Sequence, residues 1–146
     1  MSALENPRSY SVLLVEDDSA DAMLIEEALF EHGMARTVTK AEDGVAALEY
    51  LRDTVARTPD LIILDLNMPR MNGRELLKVL KADDKLRLIP VVVLTTSAAP
   101  DDVQAAYGRY ANAYVTKPVN LDDFTRAVQS IDTFYLETAT LLQSGE

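Results

Sequence analysis

Short apolar runs recur along the chain, and most are rich in residues that favour β-strands. The clearest is PVVVLTT, in which three consecutive valines follow Pro90. The run at Val38 is more polar and suits a sheet edge, whereas most of the others are apolar at successive positions, as in strands buried on both faces. The predicted strands are Ser11–Val15, Val38–Ala41, Leu61–Leu66, Pro90–Thr96 and Ala113–Thr116.

A helical pattern follows each predicted strand, with apolar residues spaced three and four positions apart. Asp18 or Ser19 can cap the first helix, and Gly33 stops it. Asn120 is a good cap for the last helix. The apolar positions are Ala22, Ile25 and Leu29 in the first helix, Val45, Leu48 and Leu51 in the second, Leu76, Leu77, Val79 and Leu80 in the third, Val103, Ala106, Tyr107 and Tyr110 in the fourth, and Phe124, Ala127, Val128 and Ile131 in the fifth.

The alternation of strands and helices predicts an α/β fold, a mostly parallel sheet with helices on both faces. The chain contains no internal repeat, low-complexity tract or linker, so a single domain accounts for the pattern. In sheets of this class, ligands bind beyond the carboxyl ends of the strands, near the point where the strand order reverses. The residues at those ends are therefore the first candidates for function.

Composition narrows the possible functions. The chain has 146 residues, which fits one domain, and a formal net charge of −10. This acidic balance argues against binding to nucleic acid or to an anionic membrane, because both usually need a basic face. The absence of cysteine excludes disulfides, thiolate metal sites and thiol catalysis. No signal peptide or membrane-spanning run is visible, and we expect a cytoplasmic location.

Polar residues stand at the carboxyl ends of most predicted strands. Glu16 and Asp17 follow the first strand, and Asp65 lies at the end of the third. Thr95 is near the end of the fourth strand, and Lys117 follows the fifth. Each position alone carries little weight, since strands often end in polar residues and an acid before a helix usually serves its N-terminus. Together they predict that carboxylates, a hydroxyl and an ammonium converge at one edge of the sheet.

Such a cluster has a defined chemistry. Carboxylates gathered within about 5 Å repel one another by roughly 3 kcal/mol per pair at an effective dielectric constant near 20. A divalent cation relieves this repulsion, and Mg²⁺ suits a site with few carboxylates, water and a phosphate oxygen. An aspartate beside Mg²⁺ and a lysine is a nucleophile toward phosphorus, because both cations neutralise charge on the transferring group. The residues therefore indicate Mg²⁺-dependent formation of an aspartyl phosphate at Asp65.

Four motifs in register give the chain a family resemblance. VEDD, LDLNMPRMNG, VVLTTSA and YVTKP together resemble the receiver domain of two-component response regulators, from about Ser11 to Ile131. The resemblance implies a (βα)5 flavodoxin-like sheet with the strand order 2-1-3-4-5. It also implies a phosphoacceptor with no enzymatic activity beyond autophosphorylation from small donors and autodephosphorylation. The phosphodonor in the cell would be a sensor histidine kinase.

The resemblance assigns a role to each residue of the predicted metal site. Asp65 would accept the phosphoryl group. Asp17 and Asp65, with the backbone carbonyl of Asn67, would be the direct Mg²⁺ ligands. Glu16 replaces the first aspartate of the usual motif and would act largely through water.

The resemblance also implies a switch. Thr95 and Lys117 would contact the phosphoryl group, and the ring of Tyr114 would turn inward when Thr95 moves toward the phosphate. Tyr114 also suits a purely structural place in the core. Asn67 and Ser97 occupy positions that tune dephosphorylation in the family, although both are also ordinary loop residues.

One departure concerns the segment after Pro118. Many receiver domains carry Phe directly after this Lys–Pro pair, whereas Val119 and Asn120 follow it here. The usual aromatic contact to partners is therefore in doubt.

The last residues narrow the choice within the family. IDTFYLETATLLQSGE resembles the C-terminal extension of stand-alone regulators that serve bacterial and cyanobacterial phytochromes, which implies a phytochrome-type kinase as partner. Its apolar residues exceed what one five-stranded core needs, and exposed apolar patches usually mark contacts. We expect a homodimer that uses Phe134, Tyr135 and Leu136, with the fourth helix and fifth strand beside the last helix. The predicted organisation is a short segment 1–10, a receiver domain 11–131 and an extension 132–146.

Other functions remain open at this point. The chain could drain phosphate from its kinase as a phosphate sink, or act as an interaction module that is never phosphorylated. A phosphatase with an aspartate nucleophile is a third alternative, but that class usually needs a second aspartate two positions later, where Asn67 stands.

Overall fold

Five parallel strands form one sheet at the centre of the protein. The computed structural model describes residues 10–31, 36–53, 55, 58–68, 70–96, 100–108 and 111–138, without the side chains of 36 and 136–138. The strands are β1 (Tyr10–Val15), β2 (Arg36–Ala41), β3 (Leu61–Leu64), β4 (Val91–Thr95) and β5 (Ala113–Thr116). Their order in the sheet is β2-β1-β3-β4-β5, which confirms the predicted flavodoxin-like topology.

Helices connect the strands as the apolar spacing predicts. None in the described part of the chain is long and apolar enough to cross a bilayer. Gly33, the predicted stop of the first helix, and Tyr110 lie outside the described residues. The helices are α1 (Ser19–Glu31), α2 (Gly44–Arg52), α3 (Gly73–Ala82), α4 (Pro100–Gly108) and α5 (Leu121–Asp132), with a 3₁₀ turn at Leu86–Leu88 and a π-helical turn at Thr133–Thr138.

The predicted end of the third strand is wrong by two residues. β3 ends at Leu64, which pairs with the last part of β1 and with β4, rather than at Leu66. The next backbone N–H, that of Asp65, still donates to Val15, but the carbonyl of Leu66 accepts from Gly73 at the start of α3. The chain therefore leaves the sheet directly after Leu64 and turns toward the helix.

Three strand starts also differ from the prediction, the first being that of β1, which begins at Tyr10 instead of Ser11. β2 begins at Arg36 instead of Val38, because its residues pair with β1 from Tyr10 onward. β4 begins at Val91, and Pro90 contributes its carbonyl to the N–H of Ile62. The bounds of a strand thus depend on its pairing with the neighbouring strand as well as on its own residues.

Alternate residues of the central strands build two core layers. In β1, Leu13 and Val15 face α2, α3 and α4, whereas Val12 and Leu14 face α1 and α5. Burial on both faces is the reason that these strands read as continuous apolar runs.

The reversal of strand order positions the candidate site. β1 and β3 are neighbours, but α1 follows β1 on one face of the sheet and α3 follows β3 on the other. The two connecting loops therefore diverge and leave a crevice above the carboxyl ends of both strands.

Candidate functional site

Glu16, Asp17 and Asp65 form an acidic triad at this crevice. One carboxylate oxygen from each residue lies within 4.8 Å of the other two. Glu16 and Asp65 are buried, whereas Asp17 is exposed. The structure therefore brings together the three acids that the sequence analysis singled out.

Lys117 lies beside the triad, although it is 101 residues from Glu16 in the sequence. Its Nζ is 2.6 Å from Oε1 of Glu16 and 3.9 Å from Oδ2 of Asp65. It also donates to Oδ2 of Asp21 at 2.8 Å. The backbone N–H of Lys117 donates to the carbonyl of Thr95 at 2.7 Å, so the end of β4 holds the lysine in place.

Burial and neighbouring charges set the protonation states of Glu16 and Lys117. Burial raises the pKa of Glu16 to about 7, because the hydrogen bond from Lys117 offsets only part of the desolvation. Burial alone would lower the pKa of Lys117, but hydrogen bonds to Asp21 and Glu16 outweigh it and raise that pKa above its usual value. The lysine therefore remains an ammonium at neutral pH.

Asp18 serves the helix and lies outside the triad. Its Oδ1 accepts the backbone N–H groups of Ala20 at 2.9 Å and Asp21 at 3.1 Å, as an N-terminal cap does. This confirms the predicted cap. The cap also fixes the first turn of α1, where Asp21 faces Lys117.

Thr95 presents a buried polar atom that finds no partner among the described residues. The residue is fully buried, and its Oγ1 makes no hydrogen bond within the described part of the chain. Buried hydroxyls nearly always have a partner, so this one is an exception that requires an explanation. A bound ligand that offers an oxygen would supply it.

The loop between β3 and α3 carries Asn67 and is held by an ion pair. Arg70 adopts φ = 59°, which is uncommon for a residue with a side chain. Its Nε donates to Oδ2 of Asp43 at 2.6 Å, and this guanidinium lowers the pKa of Asp43. Asp43 also caps α2 through the N–H of Ala46, and so the pair clamps the loop onto α2.

Arg74 lies at the rim of the crevice. Its Nη2 is 2.9 Å from Oδ1 of Asp102 in α4, and its Nη1 reaches Oδ1 of the exposed Asn67 at 3.5 Å. A cavity of about 370 Å³ next to it is lined by Asp17, Asn67 and Asn72 among others. The side chain of Asn67 therefore faces an open space beside the triad.

Tyr114 contacts the core, as expected if it has a structural role. It is partly buried and packs against the core layer of α2, α3 and α4. Its backbone N–H donates to the hydroxyl of Tyr107 at 3.0 Å, which connects β5 to α4.

The predicted contact residues of the C-terminal extension differ in their surroundings. Phe134 is 54% exposed, whereas Tyr135 is partly buried and packs against the core layer of α1 and α5. Their rings meet edge to face with centroids 5.0 Å apart. The side chain of Leu136 and the whole of Ser97 lie outside the described residues.

Sequence reasoning missed Asp21, Arg74 and the Asp43–Arg70 pair. An acid in the first turn of a helix is usually explained by the helix dipole, so Asp21 carried no separate signal. Its spacing of four residues from Asp17 was the available hint.

The arrangement suits a divalent cation next to a tetrahedral anion. Three hard carboxylate oxygens within 4.8 Å match the oxygen ligands that such cations prefer. The ammonium of Lys117 and the hydroxyl of Thr95 complement an anion bound beside the cation.

Comparison with known proteins places this geometry in a family. The sequence profile of the response regulator receiver domain matches residues 12–129. Response regulator Rcp1 of Synechocystis sp. is 43% identical over 145 residues, which covers 97% of this chain and 98% of that protein.

Solved structures agree over nearly the whole chain. The phosphorylated cyanobacterial phytochrome response regulator RcpA matches with a TM-score of 0.90 at 43% identity, covering 93% of this chain and 100% of that one. The Mn²⁺-bound form of response regulator Rcp1 matches with a TM-score of 0.87 at 43% identity, covering 92% of this chain and 99% of that one. The chain therefore belongs to the response regulator receiver family.

Proposed function

We propose that this response regulator accepts a phosphoryl group on Asp65 from a histidine kinase. The grouping of charged side chains around Asp65 carries the proposal. Carboxylate oxygens of Glu16 and Asp17 lie within 4.8 Å of one from Asp65, and the ammonium of Lys117 lies at 3.9 Å. The hydroxyl of Thr95, which has no hydrogen-bond partner among the described residues, would complete the site.

The transfer exchanges one bond to phosphorus for another. A carboxylate oxygen of Asp65 attacks the phosphorus of a phosphohistidine, the P–N bond breaks, and the imidazole leaves with a proton from water. Lys117 and Thr95 would bind oxygens of the transferring group and stabilise its negative charge. The same residues would serve autophosphorylation from small donors. In autodephosphorylation, a water oxygen would attack the phosphorus, the bond between phosphorus and the Asp65 oxygen would break, and the carboxylate would be restored.

We propose Mg²⁺ as the cation of the triad. Asp17, Asp65 and the backbone carbonyl of Asn67 would hold it, with Glu16 acting through water. When bound, the ion supplies positive charge that neutralises the incoming phosphoryl oxygens. The oxygen donor set and the Mn²⁺-bound form of the similar Rcp1 support this assignment.

Acetyl phosphate tests the function directly. Incubated with it and Mg²⁺, the protein should gain the mass of one phosphoryl group, and the group should be lost over time. Turnover of phosphate monoesters would instead indicate a phosphatase, and no reaction at all would indicate an interaction module that is not phosphorylated.

Metal affinity should rise with pH through neutrality. Because the pKa of Glu16 is about 7 without metal, metal binding at lower pH must displace a proton. The Mn²⁺ affinity, measured by calorimetry, should increase by up to about tenfold per pH unit below that value and level off above it. In Glu16→Gln the rise should disappear; an equally steep rise in this variant would contradict the assignment.

The same pKa shift predicts the opposite trend for the metal-free protein. A carboxyl whose pKa is raised by folding binds its proton more tightly in the folded state. Its contribution to stability therefore falls as pH rises from about 4.5 to about 7.

We propose a phytochrome-type sensor kinase as the partner. The similarity to RcpA and Rcp1 across nearly the whole chain supports it, and the acidic net charge favours a protein partner over nucleic acid. Such an exchange would take place in the cytoplasm. Phosphotransfer from a panel of purified histidine kinases tests this, with transfer from a kinase of another class as the contradicting result.

The output is proposed to be a two-state change. A phosphoryl group biases this equilibrium only through contacts that differ between the two states, here those to Thr95 and Lys117. The ring of Tyr114 would respond to Thr95, while Asn67 and Ser97 would tune the rate of dephosphorylation. A phosphate sink remains the alternative, distinguished by phosphorylation that leaves association and partner binding unchanged.

We further propose a homodimer through the C-terminal extension. Phe134 is 54% exposed and Phe30 on α1 is 50% exposed, which makes them a matched pair. Phe134→Ser should weaken dimerisation at least about tenfold in sedimentation experiments, whereas Phe30→Ser should not. A chain ending near Ser130 should sediment as a monomer, and identical monomeric behaviour of all forms would refute the proposal.

A further inference from the structure

Lys117 has three N–H donors, and two of them are engaged. They point to Oε1 of Glu16 at 2.6 Å and to Oδ2 of Asp21 at 2.8 Å. The distance of 3.9 Å to Oδ2 of Asp65 is too long for a hydrogen bond. Among the described residues no acceptor engages the third donor, which is therefore available to an oxygen in the gap between the lysine and Asp65.

Asp21 differs from the other two carboxylates around Lys117. Glu16 and Asp65 belong to the acidic triad, so a metal ion and a phosphoryl group both draw on their oxygens. Asp21 lies outside the triad, and its side chain is 27% exposed while that of Lys117 is 6% exposed. Among the described partners of Lys117, Asp21 is therefore the one that can still hold the lysine after a metal ion and a phosphoryl group have bound.

The position of Asp21 is itself well defined. Its backbone N–H donates to Oδ1 of Asp18 at 3.1 Å, within the capped first turn of α1. α1 packs on the sheet through Ala22 and Ile25, which are buried. A short side chain on this rigid turn restricts the long and flexible side chain of Lys117.

We infer that Asp21 is a positioning residue that holds Lys117 at the phosphorylation site when Glu16 and Asp65 are engaged by metal and phosphoryl group. The inference rests on the proposed function, because it concerns how the lysine reaches the phosphoryl oxygen. It assigns to an acid of α1 a part in phosphoryl binding without contact to the phosphoryl group.

Beryllofluoride, a tetrahedral mimic of the phosphoryl group, provides the binding test in the Mn²⁺-saturated full chain. Asp21→Ala should weaken beryllofluoride binding by about tenfold, the factor expected for one charge-assisted hydrogen bond. Asp21→Asn keeps an acceptor oxygen and should lose less. Asp18→Asn is the matched control, because Asn still caps the helix while one charge is removed nearby; its beryllofluoride affinity should stay within about twofold.

A double-mutant cycle separates positioning from helix stabilisation. In a Lys117→Ala background, Asp21→Ala should cause no further loss of beryllofluoride affinity, because the residue acts through the lysine. An equal loss in both backgrounds would assign Asp21 to helix stability alone and overturn the inference.

A second readout needs neither metal nor phosphoryl mimic. In the metal-free protein, the amine of Lys117 should be modified by an acylating reagent about tenfold faster in Asp21→Ala than in the unchanged chain, since the lysine loses one of its two ion pairs and keeps only that to Glu16. Peptide mass mapping measures the rate, and circular dichroism verifies that each variant is folded.

The outcomes distinguish failure of the proposed phosphorylation from failure of the role assigned to Asp21. If the unchanged protein fails to bind beryllofluoride, the proposed function fails and the inference with it. If it binds normally but Asp21→Ala binds equally well, or Lys117 reactivity is unchanged, the inference alone is overturned.

Discussion

Replacing Asp65 by Asn is expected to abolish phosphoryl uptake while making the metal-free protein more stable. The amide is nearly the same size but carries no negative charge and is a poor nucleophile, so an aspartyl phosphate cannot form. Uptake from acetyl phosphate with Mg²⁺, measured by mass spectrometry, should fall below detection. Mn²⁺ affinity should fall by roughly a hundredfold, because a direct ligand loses its charge.

The gain in stability has an electrostatic origin. Asp65 is buried and has two carboxylates within 4.8 Å, and Lys117 lies at 3.9 Å without a hydrogen bond to it. Removing the charge should stabilise the metal-free protein by roughly 1–2 kcal/mol, or about 3–6 °C in Tm. Calorimetry in the presence of a chelator measures this shift.

Asp60→Asn is the matched control for this substitution. Asp60 is buried just before β3, at the opposite end of the strand from Asp65, and accepts the N–H of Ser11 at 2.9 Å. Its variant should retain phosphoryl uptake and should not gain stability. Uptake by Asp65→Asn at the unchanged rate would remove Asp65 as the phosphoacceptor.

Gly73→Ala is expected to destabilise the protein strongly and to disturb the acidic triad. A Cβ at position 73 would collide with the backbone carbonyl oxygen of Asp65 and would lie 2.7 Å from the Cα of Leu66. Both atoms belong to the backbone, so the start of α3 or the end of β3 must shift. Overpacking of this kind should lower the free energy of unfolding by roughly 2–4 kcal/mol in urea denaturation.

The last residue of α4 offers the control. A Cβ at Gly108 would meet no heavy atom within 4 Å, so Gly108→Ala should change stability by less than about 1 kcal/mol. Mn²⁺ affinity should fall in Gly73→Ala and remain unchanged in Gly108→Ala. Equal unfolding midpoints for the two variants would show that the loop absorbs the extra methyl group, contrary to this expectation.

Much of the site was predictable because strand ends are local features. The apolar runs before Glu16 and Asp65 predict where burial stops, and a parallel sheet brings such ends to one edge. The confirmed strand order followed from the family resemblance. The end of β3 was placed two residues late, because Leu66 is apolar and its loss of strand pairing depends on the contact with Gly73.

The amino-acid pattern alone determined the alternating elements, the two-layer core and the group of polar residues at one edge of the sheet. Only the tertiary structure decided which charges pair there, since Lys117 meets Asp21 and Glu16 across 96 and 101 residues of chain. It also decided that the Oγ1 of Thr95 has no hydrogen-bond partner within the described residues. The physical reason is range: the burial pattern of a helix or strand repeats every few residues and is visible locally, whereas these ion pairs depend on how the sheet brings together strand ends and a helix start that lie far apart in the sequence.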